Sequence, residues 1–254
     1  MKELIQYKTF LYSLVRKDLR GKYKKSILGI LWSFINPLLQ VAIYVIILPF
    51  VMKTNESNFL IFVLCGIIPW NWFSGTVNTA TTSITSDSAL INKVYFPREV
   101  LPLSLVISTT INFLISCLII VVFALIMGVG VTWHIVFLPI LIIIEFILIY
   151  ALSLLFSALN VFARDIQYMV AFILSLMFYA TPILYNTNVF PNTVKWIFKL
   201  NPLSQIILSF KDIFYYHSIP QLGNLLIVFI GSLILLVICR FIFIKLSKKF
   251  AEEL

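Results

Sequence analysis

From Ser26 to Met52 the chain runs 27 residues without a charged side chain. No small soluble core absorbs a run of that length. About 20 apolar residues, however, cross the roughly 30 Å of hydrocarbon in a bilayer as a single helix. Five further apolar runs repeat the pattern, and the expected spans are 30–51, 59–83, 101–127, 135–163, 168–184 and 222–244. Hydrocarbon offers no water to backbone N–H and C=O groups, so each crossing must bond internally as a helix. Composition agrees. The 254 residues are 61% hydrophobic and 11% charged, against about 25% charged in a soluble domain. Mean hydropathy is +1.04. The expected fold is an all-α polytopic membrane protein of six transmembrane helices, forming one transmembrane domain over 1–254.

An even number of spans puts both termini on one side, and lysine and arginine decide which. Lys2, Lys8, Arg16, Lys17, Arg20, Lys22, Lys24 and Lys25 precede the first span. Lys93 and Arg98 follow the second, Arg164 follows the fourth, and Arg240, Lys245, Lys248 and Lys249 close the chain. Only Lys53, Lys195, Lys199 and Lys211 fall on the other side, a split of fifteen to four. Both termini are therefore expected in the cytoplasm. The net charge of +9 sits beside apolar spans, which points to membrane lipid rather than nucleic acid. About 25 residues precede the first apolar run, and that run is long enough to span, so a cleaved signal is not expected.

Two segments do not fit a plain bundle. In 1–29, Leu4, Tyr7, Leu11, Leu14, Val15, Leu19 and Tyr23 recur at helical spacing between basic residues, the pattern of an amphipathic helix at the cytoplasmic interface. Such a helix serves either as an anchor on anionic lipid or as a docking element. In 185–220, two apolar pieces around Trp196 and Ile206 are interrupted by Lys199 and Asn201-Pro202. Each is too short to span and must be interfacial or shielded by protein. A re-entrant helical pair closing the outer end is expected.

Several chemistries lack their residues. No GxxxxGK[ST] phosphate loop, HExxH or CxxC occurs in the chain. Cys65, Cys117 and Cys239 lie inside apolar runs without ligand spacing, as small buried hydrophobes do. His134 and His217 fall at span ends or in outer turns, so no metal site is expected. Glu145 is the one carboxylate well inside a span. Either a structural or a transport role is open to it. The chain thus has a transport-like body without an energy source, and an active pump built from it needs a partner.

The loop 84–100 is apolar for a solvent-facing segment. Ser86 or Asp87 can cap a short helix carrying exposed Leu90, Ile91, Val94, Tyr95 and Phe96. Pro97 and Glu99 then begin the next helix, with the carboxylate suited to its positive end. Such a helix is either a knob for a protein partner or a membrane-surface helix.

Tyr23-x2-Ser26-x-Leu28-Gly29-x2-Trp32-x3-Asn36-Pro37 resembles the lead-in to the first span of ABC exporter permeases, in the type-two branch that exports lipid-linked O-antigen, capsule or teichoic acid. In the same order follow Leu90 through Pro97, Arg164-Asp165, Pro182-Ile183, Asn201-Pro202 and Phe250-Ala251, the last continued by Glu252-Glu253. The resemblance implies a homodimer in the bacterial cytoplasmic membrane, joined to two copies of a separate ABC ATPase that binds ATP and Mg, with no cofactor on this chain. It implies that Asp87, Leu90, Ile91, Lys93, Val94, Tyr95 and Phe96 form the ATPase-coupling helix. It also implies that the N-terminal helix, with Arg16, Arg20, Tyr23 and Trp32, lies at the cytoplasmic gate.

A path for sugar chains needs many weak contacts, and aromatic rings stack on sugar faces while permitting sliding. Candidates at plausible depth are Tyr44, Trp70, Trp72, Phe73, Phe178, Tyr179 and Tyr185. The same ring types also collect in the interfacial belts of membrane proteins. The expected function is therefore ATP-driven export of a lipid-linked polysaccharide, with no enzyme activity in this chain. Two alternatives stand beside it: export of a drug or simple lipid, and a proton-coupled carrier using Glu145.

Overall fold

A computed structural model describes residues 7–23, 31–52, 58–93, 96–191, 193 and 195–254. Among these residues there are helices and turns and no strand. The helices are α1 (Lys8–Tyr23), α2 (Trp32–Met52), α3 (Phe59–Thr81), α4 (Ser83–Ser86), α5 (Ser88–Lys93), α6 (Val100–Ile126), α7 (Leu138–Phe162), α8 (Ile166–Ala180), α9 (Lys195–Leu200), α10 (Pro202–Phe214), α11 (Leu222–Ser247) and α12 (Phe250–Glu253).

Local chemistry sets most of these boundaries. Asn58 precedes α3 in the left-handed region (φ 55°), which asparagine tolerates better than most residues. Gly128 and Gly130 take φ 71° and 79° after α6, where a side chain would be strained. Pro139 enters α7 at its first turn, where its missing N–H costs nothing. Asn201 caps α10 by accepting from Leu203 N at 3.0 Å. Within the apolar helices, the hydroxyls of Ser74, Thr79, Thr81, Thr110 and Ser116 donate to carbonyls one turn earlier, which keeps them satisfied away from water.

Four described stretches are long and apolar enough to cross a membrane: Phe59–Thr81, Val100–Ile126, Trp133–Phe162 and Leu222–Ser247. Ile35–Ile47 and Ile166–Ala180 are shorter apolar stretches. The fifth expected span, 168–184, ends early. At 15 residues, α8 is about 22 Å long by the 1.5 Å helical rise. Thr181 turns extended (φ −109°, ψ 136°) and Pro182 follows, so the helix cannot continue.

Helix α3 is the centre, buried along most of its length. Around it pack α2, α6, α7, α8 and α10, and α11 lies against α7. Exposed leucines, isoleucines and phenylalanines cover the outer faces of α6, α7, α8 and α11. Helix α10 is buried almost throughout, so the shielding that a short helix needs comes from α3, α7 and α11. The Phe210 and Phe214 rings, for example, are at most 1% exposed.

Two charged residues sit differently from the sequence expectation. Lys211 counted among the outer-side charges, yet it is 1% exposed. Its ammonium donates to Pro182 O at 2.6 Å and Ile183 O at 3.1 Å, and lies 3.4 Å from the centre of the Phe62 ring. Carbonyls freed by the end of α8 make the burial tolerable. Glu99 was expected to act on its own helix end, but it makes no capping bond there. Its carboxylate pairs with Arg240, 141 residues away. Glu145 on α7 is fully buried, and neither carboxylate oxygen has a hydrogen-bond partner among the described residues. The two histidines meet at Thr132, whose Oγ1 lies 2.8 Å from His134 Nδ1 and 3.3 Å from His217 Nδ1.

Candidate functional site

Helical spacing places polar side chains in stripes. On α2, Asn36, Gln40 and Tyr44 follow one another at i, i+4, i+8. On α3, Asn71, Gly75, Asn78 and Thr79 do the same within two turns, and on α6 Thr109, Asn112 and Ser116 share a face. The three stripes converge. A cavity of about 510 Å³ is walled by α2, α3 and α6, and its lining includes Trp32, Asn36, Gln40, Trp72, Asn112 and Ser116. A second cavity of about 390 Å³ is walled by α2, α3 and α8, with Tyr44, Trp70, Asn78, Ser175, Phe178 and Tyr179. Gln40 and Gly75 line both, so the two cavities are adjacent along α2 and α3, together a groove interrupted at these residues. Asn71 Nδ2 donates to Gln40 Oε1 at 2.9 Å and fixes the amides that separate them.

No charged residue appears among the described lining residues. The wall offers amides, hydroxyls and aromatic rings, the groups that bind hydroxyl-rich, uncharged ligands through many modest contacts. Trp72 Nε1 and Thr76 Oγ1, both of wall residues, have no hydrogen-bond partner among the described residues. At Gly75 a Cβ would meet nothing within 4 Å, so this glycine leaves room beside both cavities.

The aromatic candidates separate. Tyr44, Trp70, Phe178 and Tyr179 line the smaller cavity, and Trp72 lines the larger. Trp70 meets Phe178 edge-on at 5.6 Å, and Trp72 stacks on Phe113 at 4.1 Å, so both rings are largely occupied with packing. Tyr179 is 74% exposed and Trp32 is also open, which leaves those two rings the freer faces. Phe73 is buried against Trp70 and lines neither cavity. Tyr185 also lies outside them, packed on Phe190 and Phe198, with its hydroxyl donating to Tyr179 O at 2.8 Å. The amide residues Asn36, Gln40, Asn71 and Asn112 were not among the sequence candidates. The available signal was the i, i+4 recurrence of Asn36 and Gln40 inside one apolar run, and the amides Asn71 and Asn112 in two others.

The end of the bundle carrying α1 forms a second constellation. Leu14 and Val15 of α1 are buried, and α1 lies against α6, so this helix is docked on the protein as well as amphipathic. Arg16 and Arg20 point outward and are exposed; the side chain of Tyr23 lies outside the described residues. Phe10 meets Phe96 at 5.0 Å, and Lys17 Nζ pairs with Asp87 Oδ1 at 3.1 Å. Burial pushes the Asp18 carboxyl above its ordinary value; neighbouring Lys17 works against this and Asp87 adds to it.

The segment α4–α5 departs from the expected knob. Ile91 and Phe96 were expected to be exposed, but they are 7% and 5% exposed. They anchor the segment to the body because apolar side chains gain more against α1 and the core than in water. Leu90 is half-buried, while Ser86 and Ala89 remain exposed and Asp87 partly so. Val94, Tyr95 and the side chain of Lys93 lie outside the described residues.

Comparison with known proteins adds a third line. The sequence profile of the ABC-2 type transporter family matches residues 9–215. An O-antigen export system permease protein RfbA of Myxococcus xanthus is 36% identical over 256 residues, covering 100% of this chain and 98% of that protein. Two proteins of the same name from Klebsiella pneumoniae are 37% and 36% identical, each covering 95% of this chain and 93% of its relative.

Proposed function

The chain belongs to the ABC-2 type transporter family, and from that premise we propose that it is the permease subunit of an ATP-driven exporter of a lipid-linked polysaccharide of the O-antigen, capsule or teichoic acid kind. The observation that carries the reading is the uncharged groove of amides and rings across α2, α3, α6 and α8. Full-length similarity to permeases named for O-antigen export supports the same cargo class.

In this reading the protein sits in the bacterial cytoplasmic membrane with six spans, α2, α3, α6, α7, α8 and α11, and both termini inside. Helices α9 and α10 form a re-entrant pair at the outer end. Two copies of the chain face each other and two ATPase subunits supply ATP and Mg chemistry. The ATPase seats on the exposed side of α4–α5, around Ser86, Asp87 and Ala89, rather than on Phe96. Arg16 and Arg20 face the inner leaflet beside the gate, and Trp32 opens onto the groove. Glu145 lines neither cavity, so a proton-coupled carrier using it has no geometric support.

The test is affinity purification of the tagged chain from its own membranes, followed by reconstitution. Co-purification of an ATPase and ATP-dependent movement of lipid-linked glycan support the reading. Transport by the chain alone under a pH gradient would sink it, and ATP-dependent movement of a drug or simple lipid without glycan would reassign the cargo.

A further inference from the structure

Asp87, between α4 and α5, and Glu99, at the start of α6, are each tied to a distant helix, and the two ties differ in kind. Asp87 pairs with Lys17 at 3.1 Å, with the side chains 35% and 58% exposed. An ion pair that open is screened by salt and solvent and yields readily. At the second tie, Arg240 Nε donates to Glu99 Oε2 at 3.1 Å and Oε1 at 3.2 Å, with Glu99 buried. Next to it, the Arg98 guanidinium sits 5.7 Å from the Phe250 ring, which is fully buried against Phe162 and Phe243.

The Glu99 side chain is 9% exposed and that of Arg240 35%, so the carboxylate is the desolvated partner, and a pair of this kind is a poor device for stability alone because desolvation offsets much of the attraction. Its distinctive property is directional: the partners must move together or leave the Glu99 carboxylate unpaired in a largely dry site. We propose that Glu99 and Arg240 are positioning residues that fasten the start of α6, the helix that follows the α4–α5 segment in the chain, to α11, so that displacement of that segment is delivered to the last span. Lys17–Asp87 is the compliant tie and Glu99–Arg240 the stiff one. The proposal rests on the reading of α4–α5 as the ATPase seat.

The experiment uses the complete complex with its ATPase in lipid nanodiscs. Spin labels go on Ser88→Cys, partly exposed and not one of the residues assigned to the ATPase seat, and on the exposed Lys248→Cys, in a background where Cys65, Cys117 and Cys239 are replaced. The distance between labels is measured without nucleotide and with ATP and vanadate. With the native pair, the distance stays the same in both states. In Glu99→Gln and Arg240→Gln, the two labels separate on ATP trapping by more than the roughly 1–2 Å of an ordinary helix adjustment. ATP hydrolysis continues in these variants, and the exchange Glu99→Arg with Arg240→Glu restores the native behaviour. If Glu99→Gln fails to accumulate, Arg240→Lys carries the test, since it keeps the charge and loses the planar donor. An unchanged distance in the single variants overturns the proposal, as does a folded exchange variant that restores nothing. Absence of an ATPase from the native complex overturns the underlying reading, and this is seen before any variant is made.

Discussion

Gly66 lies against Ile183 so closely that a Cβ on the glycine would stand 2.7 Å from the Ile183 carbonyl oxygen and 3.0 Å from its Cα. The contact presses α3 onto the turn that ends α8. In an exposed helix interior, glycine to alanine gains about 0.5–1 kcal/mol. Here the neighbour is backbone and cannot swing aside. Gly66→Ala is expected to cost about 1–3 kcal/mol net, seen as a lower thermal midpoint of the purified protein in detergent. An unchanged or raised midpoint would refute the contact.

Lys211 holds the other side of that turn through the carbonyls of Pro182 and Ile183 and the ring of Phe62. Methionine has nearly the same reach but no donor, so Lys211→Met leaves buried carbonyl oxygens short of partners. The expected loss is about 2–4 kcal/mol. Since the damage centres on the 181–185 turn, hydrogen exchange at Ile183 N–H, bonded to Thr181 O at 2.7 Å, should rise more than exchange within α11.

Asp212, one residue further along α10, is pushed up to about 6 by burial, against the opposing hydrogen bond from Ser218. The folded protein therefore holds this proton more tightly than the unfolded chain, whose carboxyl titrates near 3.8. Stability rises as pH falls from 7 through 6 and is lost again on the way up. Solvent near this partly open group limits the gain to about 1–2 kcal/mol. Thermal midpoints between pH 7.5 and 4.5 should show it, and Asp212→Asn should flatten that part of the profile.

Gly75 lines both cavities, with open space in front of its Cα. Gly75→Ala should fold as well as the native chain, because nothing meets the added methyl. Gly75→Phe fills the space shared by the two linings and should lower glycan export by the reconstituted complex about tenfold or more, the equivalent of about 1.4 kcal/mol, with ATPase binding intact. Export at the native rate through Gly75→Phe would remove the groove as the path.

Much of the fold was legible without coordinates. Helices α3, α6, α7 and α11 fall within a few residues of the runs 59–83, 101–127, 135–163 and 222–244, because apolar length and Gly or Pro punctuation act locally. The candidate site was legible only in its rings. Its amides were overlooked because a polar residue in a span suits a cavity, a neighbouring helix or its own backbone equally well. The exposed knob was misread at Ile91 and Phe96, since Phe96 is covered by Phe10 of α1 and Ile91 packs into the core, contacts set by distant segments.

By itself, the sequence determined that this chain forms long helices with a basic, amphipathic start, because hydrocarbon leaves backbone groups no partner outside the helix. Only the tertiary structure decided which way each helix turns. Lipid is as apolar as a protein core, so hydrophobic periodicity does not distinguish a packed face from a lipid-facing one. The meeting of Asn71 with Gln40, of Lys211 with Pro182 and of Glu99 with Arg240 follows from helix rotation and packing between distant segments.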